Sequence, residues 1–222
     1  MRALQARGTL VVGLSRSPSG ADEHEACDVA DRVAVDDVAA RIIGRHPQID
    51  LLVNNAGVAA RAGFLDAGAE RIEQVTRVNY LGSVWATLAF LPALGNGSHI
   101  VNVVSVAGTV AMGPYSASKH AQLAFSRSLR AELAPRGVHV HTILPGFVET
   151  PGFPQHRFRG PLYRLVAQPS LVVERLLGAI DADKAEIFVP RWYRPAAWAQ
   201  ALVPGAVASA RARTSRRRPR SH

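Results

Sequence analysis

Residues 98–119 read SHIVNVVSVAGTVAMGPYSASK, and this stretch decides the predicted fold. It opens with Ser98–Val104, a β-rich apolar run of the kind that is buried on both faces of a parallel sheet. The run ends at Ser105, and an amphipathic helix is predicted over Ser116–Leu133, where Pro135 stops the pattern. A strand followed by a helix in this way is typical of one unit of an α/β fold.

The same alternation of strand and helix patterns extends in both directions from this stretch. Further strands are predicted at 9–14, 49–53, 138–144 and 186–189, and further helices at 72–91 and 171–180. The apolar run at 9–14 is also expected to be buried on both faces of the sheet. This order predicts an α/β fold with a doubly wound parallel sheet over residues 1–190. Residues 191–222 are predicted to be a C-terminal extension with a disordered, arginine-rich tail.

Composition and charge favour one globular domain. The chain has 222 residues, of which 48% are hydrophobic and 19% charged, so it can bury a sizeable core. The formal net charge is +9, but six of these charges belong to Arg211, Arg213, Arg216, Arg217, Arg218 and Arg220. A terminal run of like charge is usually a solvated tail, and we expect no nucleic-acid partner. The arginine tail and the tryptophans before it also leave a third function open, that of a module that binds nucleic acid or a membrane surface.

Cysteine usage and hydropathy bear on the compartment. Cys27 is the one cysteine, which excludes an internal disulfide and gives no sign of an oxidising environment. The apolar run Leu10–Leu14 is shorter than a signal-peptide core or a membrane span. We expect a cytoplasmic protein with no membrane association, and we assign no residue to a metal site.

Three side chains near the quoted stretch carry chemistry. Tyr115 and Lys119 are four positions apart, so they lie one above the other on a helix face. An ammonium beside a phenol favours the phenolate and brings its pKa toward the range where it exchanges protons at neutral pH. Ser105 ends the predicted strand, at the edge where α/β sheets bind ligands. Taken singly, such a Tyr/Lys pair is often a surface pair, and such a serine more often caps the next turn.

Five motifs occur together in one order along the chain. They are Asn54-Asn55-Ala56-Gly57, Asn79, Ser105 with Ala107-Gly108, Tyr115-Ser-Ala-Ser-Lys119 and Pro145-Gly146-Phe147-Val148-Glu149-Thr150. In this order and rough spacing the chain resembles the short-chain dehydrogenase/reductase (SDR) family over about residues 1–190. The resemblance implies a Rossmann-like domain and an oxidoreductase that transfers hydride between NAD(P)(H) and a carbonyl or alcohol.

The resemblance also implies a role for each catalytic residue. Tyr115 would be the general acid/base, and Ser105 would orient the substrate oxygen. Lys119 would lower the pKa of Tyr115 and bind the hydroxyls of the nicotinamide ribose. Asn79 would hold a water molecule that links Lys119 to solvent as a proton relay. Without the other motifs, Asn79 is equally well explained as a polar residue that kinks its helix.

The cofactor is predicted from the turn after the first strand pattern, where an acid binds a ribose hydroxyl and an arginine accepts a 2′-phosphate. Arg16 stands there between two serines, which favours NADP and leaves NAD possible. Because nearly all basic residues of the chain are arginine, one could also lie at this turn by chance. The implied cofactor-binding residues are Ser15, Arg16, Asp28, Val29, Asn54, Tyr115, Lys119, Val148 and Thr150.

The start of the sequence departs from the family pattern. Met1–Arg7 resembles the last turns of a helix, Gly8 is placed as its C-cap, and a strand follows at once. A dinucleotide-binding fold opens instead with a strand and a glycine-rich turn, which hold the pyrophosphate. We therefore predict an incomplete Rossmann-like domain, truncated before the glycine-rich motif, whose sheet either closes up or is left with a gap.

A second departure lies in the catalytic region. Only ten positions separate Ser105 from Tyr115, fewer than the family usually has, so a tight loop is expected and the geometry of this pair is left open. Phe147–Tyr163 is expected to form a flap over an apolar substrate.

Two functions from different classes follow. The first is an oxidoreductase acting on a small carbonyl or alcohol substrate, which by resemblance forms a homo-oligomer. The alternative is a catalytically silent remnant that acts, if at all, as a partner-binding protein.

Overall fold

The structure is a computed structural model that describes residues 1–60, 62–149, 166–207 and 209. Thr150, most of the expected flap and the arginine tail lie outside the described residues. The strands are β1 (Val12–Ser15), β2 (Glu23–Ala26), β3 (Leu51–Asn54), β4 (His99–Val103), β5 (His139–Pro145) and β6 (Glu186–Val189). The α-helices are α1 (Arg2–Gln5), α2 (Arg32–Arg45), α3 (Phe64–Ala67), α4 (Ala69–Thr76), α5 (Gly82–Phe90), α6 (Gly113–Leu133), α7 (Pro169–Asp181) and α8 (Arg194–Leu202).

The strands form a parallel sheet in two parts. Strands β3, β4, β5 and β6 pair in that order, and all three pairings are parallel. Strands β1 and β2 form a separate parallel pair. With helices following the strands, the predicted α/β fold with a parallel sheet is confirmed. In the described part of the chain β1 pairs with β2 alone and β3 with β4 alone, so the sheet carries a gap between β1 and β3.

The prediction that the run at 9–14 is buried on both faces is wrong. The strand begins at Val12, all four of its residues are only partly buried, and Leu10 is 54% exposed. A central strand is covered because neighbouring strands flank it on both sides. Among the described strands β1 has one neighbour, and its apolar composition alone does not bury it.

Alternate residues of the strands face helices on opposite sides of the larger sheet. Ile100 and Val140 pack with Leu129 and Leu133 of α6. Val101 and Ile143 pack with Ala179 of α7. This alternation follows from the two-residue repeat of a strand, and it gives the sheet a helical layer on each face.

A third core cluster joins the two parts of the sheet. Most of its buried members lie on α2 and α5, among them Val38, Ile42 and Phe90, and Cys27 after β2 completes the cluster. Leu14 of β1 and Leu52 of β3 pack against this same cluster. The helices therefore hold β1 and β3 on one core although these strands do not pair.

The helical tract predicted over 72–91 contains an irregular turn. Helix α4 passes into a π-helical turn at Arg77–Leu81, and α5 continues from it. Asn79 lies in this turn and is fully buried. A π-helical turn widens the helix by one residue and often accompanies a functional site.

The described residues contain neither a metal-binding group nor a membrane-spanning helix, by the following criteria. No group of three or more histidine, cysteine, aspartate or glutamate side chains there could hold a metal ion. No helix in this part of the chain combines the length and the apolar character needed to cross a bilayer.

Candidate active site

The candidate site begins where β4 and β5 end. Ser105 follows β4 by two residues, and its Oγ donates to the carbonyl oxygen of Pro145, the last residue of β5, at 3.4 Å. The same Oγ accepts a hydrogen bond from the backbone N–H of Ala107 at 3.1 Å. Ser105 therefore caps the short helical turn Val106–Thr109, as the simpler interpretation of this residue expects, and also bridges two strand ends.

The structure brings Ser105 and Tyr115 together. Burial raises the pKa of the Tyr115 phenol, and a side-chain hydrogen bond with Ser105 acts in the opposite direction. The short loop between the two residues is fastened to α6, because Ser116 Oγ donates to the carbonyl oxygens of Ala107, at 2.7 Å, and Val110. The ten-residue spacing thus leaves the pair in contact.

Gly108 allows this loop to lie directly on α6. A Cβ at Gly108 would come within 2.7 Å of the backbone oxygen of Lys119 and 3.0 Å of its carbonyl carbon. Such distances are too short for any larger residue, and the neighbours are main-chain atoms that cannot rotate away. The glycine is therefore required by the close approach of two backbones.

Lys119 lies one helical turn beyond Tyr115 and is 3% exposed. Its Nζ donates to the carbonyl oxygen of Val103 at 3.0 Å and to Oε1 of Gln122 at 2.8 Å. Burial lowers the pKa of Lys119 to about 7. Burial is the first cause for both groups and raises the pKa of the Tyr115 phenol, so the lowering of that pKa by Lys119 stays a prediction.

Asn79 is close to this lysine but is held by protein groups. Its Oδ1 accepts from the backbone N–H of Val58 at 2.8 Å, and its Nδ2 donates to the Val58 carbonyl oxygen at 3.0 Å and to Ser118 Oγ at 3.1 Å. A Cβ at Gly57 would lie 3.5 Å from Asn79 Oδ1 and 3.8 Å from Lys119 Nζ. In the structure Asn79 therefore clamps the segment after β3 against α6.

Four of the predicted cofactor residues lie at or just after the carboxyl ends of β1 and β2. Arg16 follows β1 and is exposed, while Ser15 Oγ donates to the carbonyl oxygen of Ser17 at 2.6 Å. Asp28 follows β2 and accepts from the N–H of Ala30 at 2.9 Å. Val29 packs against α5, since a Cβ at Gly82 would lie 3.0 Å from its Cγ2.

Two further predicted cofactor residues have contacts of a different kind. Asn54 is buried, and its Nδ2 donates to Thr87 Oγ1 at 3.0 Å and to Asn102 Oδ1 at 2.9 Å, inside the domain. Val148 forms an isolated parallel bridge with Ala167. The structure thus places the Asn54 side chain in an internal polar network, away from the Ser105–Tyr115 pair.

The described residues fit one end of a dinucleotide better than its middle. Ser105, Tyr115 and Lys119 offer hydroxyl and ammonium groups at one strand edge, as a nicotinamide riboside requires. The helix that follows the β1–β2 pair is closed to an anion, because Asp31 Oδ1 accepts from Val33 N at 3.0 Å and Ala34 N at 3.3 Å. We assign no described group to the pyrophosphate.

The hydrogen-bond partners of Lys119 were not predicted from the sequence. Gln122 is fully buried and donates from Nε2 to Ser83 Oγ of α5 at 2.8 Å. A glutamine on the apolar face of α6 was visible in the sequence as a polar residue at a core position. Its contact with Ser83, which is 39 positions away, is a product of the packing of α5 on α6.

Comparison with known proteins gives consistent results. The sequence profile of the family described as short chain dehydrogenase matches residues 10–157. A Drosophila melanogaster protein, dehydrogenase/reductase SDR family protein 7-like, is 38% identical over 129 residues, which are 55% of this chain and 39% of that protein. Danio rerio dehydrogenase/reductase SDR family member 7B is 40% identical over 129 residues, 55% of this chain and 41% of that protein. The chain thus spans about two fifths of the length of these curated relatives.

Solved structures have the same fold. A short chain dehydrogenase from Burkholderia cenocepacia J2315, solved in complex with NADP, is 29% identical and superimposes with a TM-score of 0.79 over 94% of this chain and 89% of that one. A short-chain dehydrogenase from Streptomyces avermitilis, 24% identical, gives a TM-score of 0.75 over 97% of this chain and 89% of that one.

Proposed function

Because the chain belongs to the short-chain dehydrogenase/reductase family, we propose that it transfers a hydride between NADP(H) and a small carbonyl or alcohol substrate. The observation that carries this proposal is the proximity of the Ser105 and Tyr115 side chains, beside the buried Lys119, at the carboxyl edge of the sheet. A phenol, a hydroxyl and an ammonium in this position suit the proton transfer that accompanies reduction of a carbonyl.

Each of these side chains has one task in the proposed reaction. The nicotinamide cofactor, when bound, supplies the hydride to the carbonyl carbon or accepts it from the alcohol carbon. Ser105 donates a hydrogen bond to the substrate oxygen and orients it. Tyr115 gives its proton to that oxygen in reduction and takes it back in oxidation. Because burial raises its pKa, Tyr115 is protonated at neutral pH and suited to the reductive direction.

The remaining predicted residues hold the cofactor in this proposal. Lys119 donates to the ribose of the nicotinamide, and Asn79 keeps the segment after β3 in place beside it. Arg16 is exposed at the end of β1, where its guanidinium can pair with a 2′-phosphate, and this favours NADP over NAD. The NADP-bound relative supports that preference. Asp28 and Val29 would contact the adenine of the cofactor. Val148 and Thr150 would contact the carboxamide of its nicotinamide.

One observation favours the alternative, a catalytically silent protein that binds a partner. The larger sheet and the β1–β2 pair are separate within the described residues, and the N-terminus of α2 is already capped by Asp31. A protein with no site for the pyrophosphate would bind a dinucleotide weakly. A cytoplasmic location and a homo-oligomeric state belong to the first proposal; the location rests on cysteine usage and hydropathy, and the oligomeric state on family resemblance.

Replacement of Tyr115 by phenylalanine tests the proposed mechanism. NADPH binding, measured by fluorescence titration, should be retained because Lys119 and the other predicted cofactor residues are still present, while kcat for reduction of a carbonyl substrate should fall by about 10²–10⁴-fold because the proton donor is lost. Tyr80→Phe is the matched control, since it removes a hydroxyl from a ring that packs edge-on against Phe125, 6.4 Å away. Full activity of Tyr115→Phe would contradict the proposed mechanism. Failure of the unchanged protein to bind NADPH would favour the catalytically silent alternative.

A further inference from the structure

A chain of buried polar groups leads away from Lys119 to α5. Lys119 Nζ donates to Gln122 Oε1 at 2.8 Å, and Gln122 Nε2 donates to Ser83 Oγ at 2.8 Å. Ser83 Oγ in turn donates to the carbonyl oxygen of Asn79 at 3.5 Å. Gln122 is fully buried, and Ser83 and Lys119 are 5% and 3% exposed. These hydrogen bonds thus connect α6 with α5 through the interior of the domain.

The chemistry of the groups fixes the direction of these hydrogen bonds. An ammonium has three donors and no acceptor, so the Gln122 oxygen must face Lys119. The Gln122 amide nitrogen is then turned to Ser83, whose hydroxyl accepts and is left to donate to Asn79. Lys119, Gln122 and Ser83 each donate a hydrogen bond to the next group in this series. Both the oxygen and the nitrogen of the buried Gln122 amide therefore have a partner.

Such an amide is costly to bury unless both of its ends are bonded. A methionine of nearly the same shape would fill this core position without that requirement. The neighbours of the Lys119 Nζ atom are uncharged, namely the Val103 carbonyl and the Gln122 amide, with the Ser83 hydroxyl of α5 and the Asn79 amide behind them. Burial is the cause of the lowered pKa of Lys119, and no charged side chain among the described residues opposes it.

We propose that Gln122, anchored by Ser83, is a positioning residue that holds the Lys119 ammonium at the end of β4 and keeps it charged. Oxygen acceptors stabilise the protonated amine against the effect of burial, and Gln122 supplies one of the two that the structure describes. The third donor of Nζ remains for the ribose hydroxyls, a step that rests on the proposed function. Gly57 lies beside this nitrogen, where a Cβ would be 3.8 Å from it.

The composition of the chain makes a direct test possible. It has two lysines, Lys119 and Lys184, so a protein labelled with ¹³C and ¹⁵N in lysine gives two side-chain signals. Lys184 is exposed and serves as an internal reference in each sample. The Cε and Nζ shifts are followed against pH in the full chain without cofactor, and the midpoint for Lys119 is expected at about 7.

Two substitutions at one position should move this midpoint in opposite directions. Gln122→Met removes an acceptor, so the acid dissociation constant of Lys119 should rise about tenfold and its pKa should fall. Gln122→Glu places a carboxylate beside the ammonium, and the pKa should rise by a similar factor. A purely structural contribution of Gln122 to packing would not produce opposite shifts. Gln74→Met, at an exposed glutamine of α4, is the matched control and should leave the Lys119 midpoint unchanged.

Ser83→Ala covers the case in which a Gln122 variant does not fold. It leaves Gln122 in place without its anchor, so the pKa of Lys119 should fall by less than in Gln122→Met. Circular dichroism identifies the folded variants, and a Lys119 midpoint that stays constant or moves in the other direction in those variants overturns the proposal.

NADPH titration of the same samples separates this inference from the proposed function. If the unchanged protein binds no NADPH while Lys119 responds to Gln122 as expected, the cofactor assignment fails and the positioning of Lys119 stands. If NADPH binds and Lys119 is indifferent to Gln122, only the present inference is overturned. In a protein that is active, Gln122→Met should also shift the alkaline limb of the kcat/KM profile to lower pH by about one unit, with Gln122→Glu shifting it upward.

Discussion

The glycine at position 108 is as important for the site as the side chains that it brings together. It lets the turn after Ser105 rest on the backbone of α6 at Lys119, with no room for one additional carbon atom. Ser105 and Tyr115 therefore depend on a residue that has no functional group of its own. Small displacements of reacting groups reduce rates strongly, so this contact should be visible in kinetics.

Gly108→Ala should lower both activity and stability. The new Cβ meets the Lys119 carbonyl group, which forces the turn away from α6 and moves Ser105 from Tyr115. We expect kcat to fall by at least about tenfold, and the free energy of unfolding to fall by about 1–3 kcal/mol. Urea denaturation and steady-state kinetics measure the two effects.

Gly178→Ala is the matched control for this substitution. Gly178 lies in α7, where an added Cβ meets nothing within 4 Å, so alanine should stabilise the helix by about 0.5–1 kcal/mol. Equal behaviour of the two variants would show that the close approach at Gly108 has no energetic consequence.

The candidate side chains of the site could be predicted from the sequence more easily than the groups that surround them. Ser105, Tyr115 and Lys119 could be chosen because their order and spacing are properties of the chain itself. The hydrogen bonds of Lys119 to Val103 and Gln122 could not be chosen in that way, since they depend on how a buried ammonium finds acceptors once α6 has packed on β4. The upward direction of the Tyr115 pKa follows from the same burial.

The paired strands β4 and β5 carry a histidine cluster near their amino ends, opposite to the candidate site. His141 Nδ1 lies 2.9 Å from the carbonyl oxygen of Lys184, so this nitrogen donates. When His141 is neutral, its Nε2 accepts from His99 Nδ1, at 2.9 Å. The ring of His99 also stacks on His139, with centroids 5.0 Å apart. Burial of this pair favours the neutral form of His141.

This cluster should make the protein sensitive to mild acid. Burial lowers the pKa of His99 and of His141 below the ordinary value of 6.5, with nearby Asp183 acting in the opposite direction. The unfolded chain then takes up protons at a higher pH than the folded chain, so stability is lost as the pH falls below about 6.5. Each histidine changes the free energy of unfolding by at most about 1.4 kcal/mol per pH unit.

His141→Gln tests this prediction through urea denaturation at pH 5, 6 and 7. The variant loses some stability at pH 7, but its further loss on going to pH 5 should be smaller than that of the unchanged protein. His120→Gln, at an exposed position on α6, is the control. An acid dependence that is the same with and without His141 would contradict this assignment.

The strand and helix order was predictable, whereas the local irregularities were not. Runs of apolar residues located β3 to β6, and the three- and four-residue repeat located the helical tract from α4 to α5. The π-helical turn at Arg77–Leu81 leaves no mark in that repeat, because it is a change of backbone hydrogen bonding around a buried asparagine. The partial exposure of β1 depends on which strands flank it, and composition alone does not contain that information.

The two parts of the sheet should unfold together because one core supports both. Phe90 of α5 is 2% exposed in the cluster that touches Leu14 of β1 and Leu52 of β3. Phe90→Ala should reduce the free energy of unfolding by about 3–5 kcal/mol, through lost burial and a cavity. Leu88→Ala, at a position of the same helix that is 57% exposed, should cost much less. Denaturation followed separately by tryptophan fluorescence and circular dichroism gives both values.

Non-coincident transitions of these two probes would contradict a single cooperative unit. In that case the β1–β2 pair with α2 would open before the larger sheet, and Phe90→Ala would move only the earlier transition. Coincident transitions in both variants are expected.

The division between β1 and β3 also has a consequence for encounters with other polypeptides. Each of these strands presents a rim of main-chain N–H and C=O groups that the described residues leave unmatched. An unpaired strand edge can form backbone hydrogen bonds with an extended peptide of suitable length. The side chains of that peptide matter little, because the hydrogen-bonding groups belong to the main chain. We therefore expect association with other polypeptides to depend on these two strand edges as well as on the net charge.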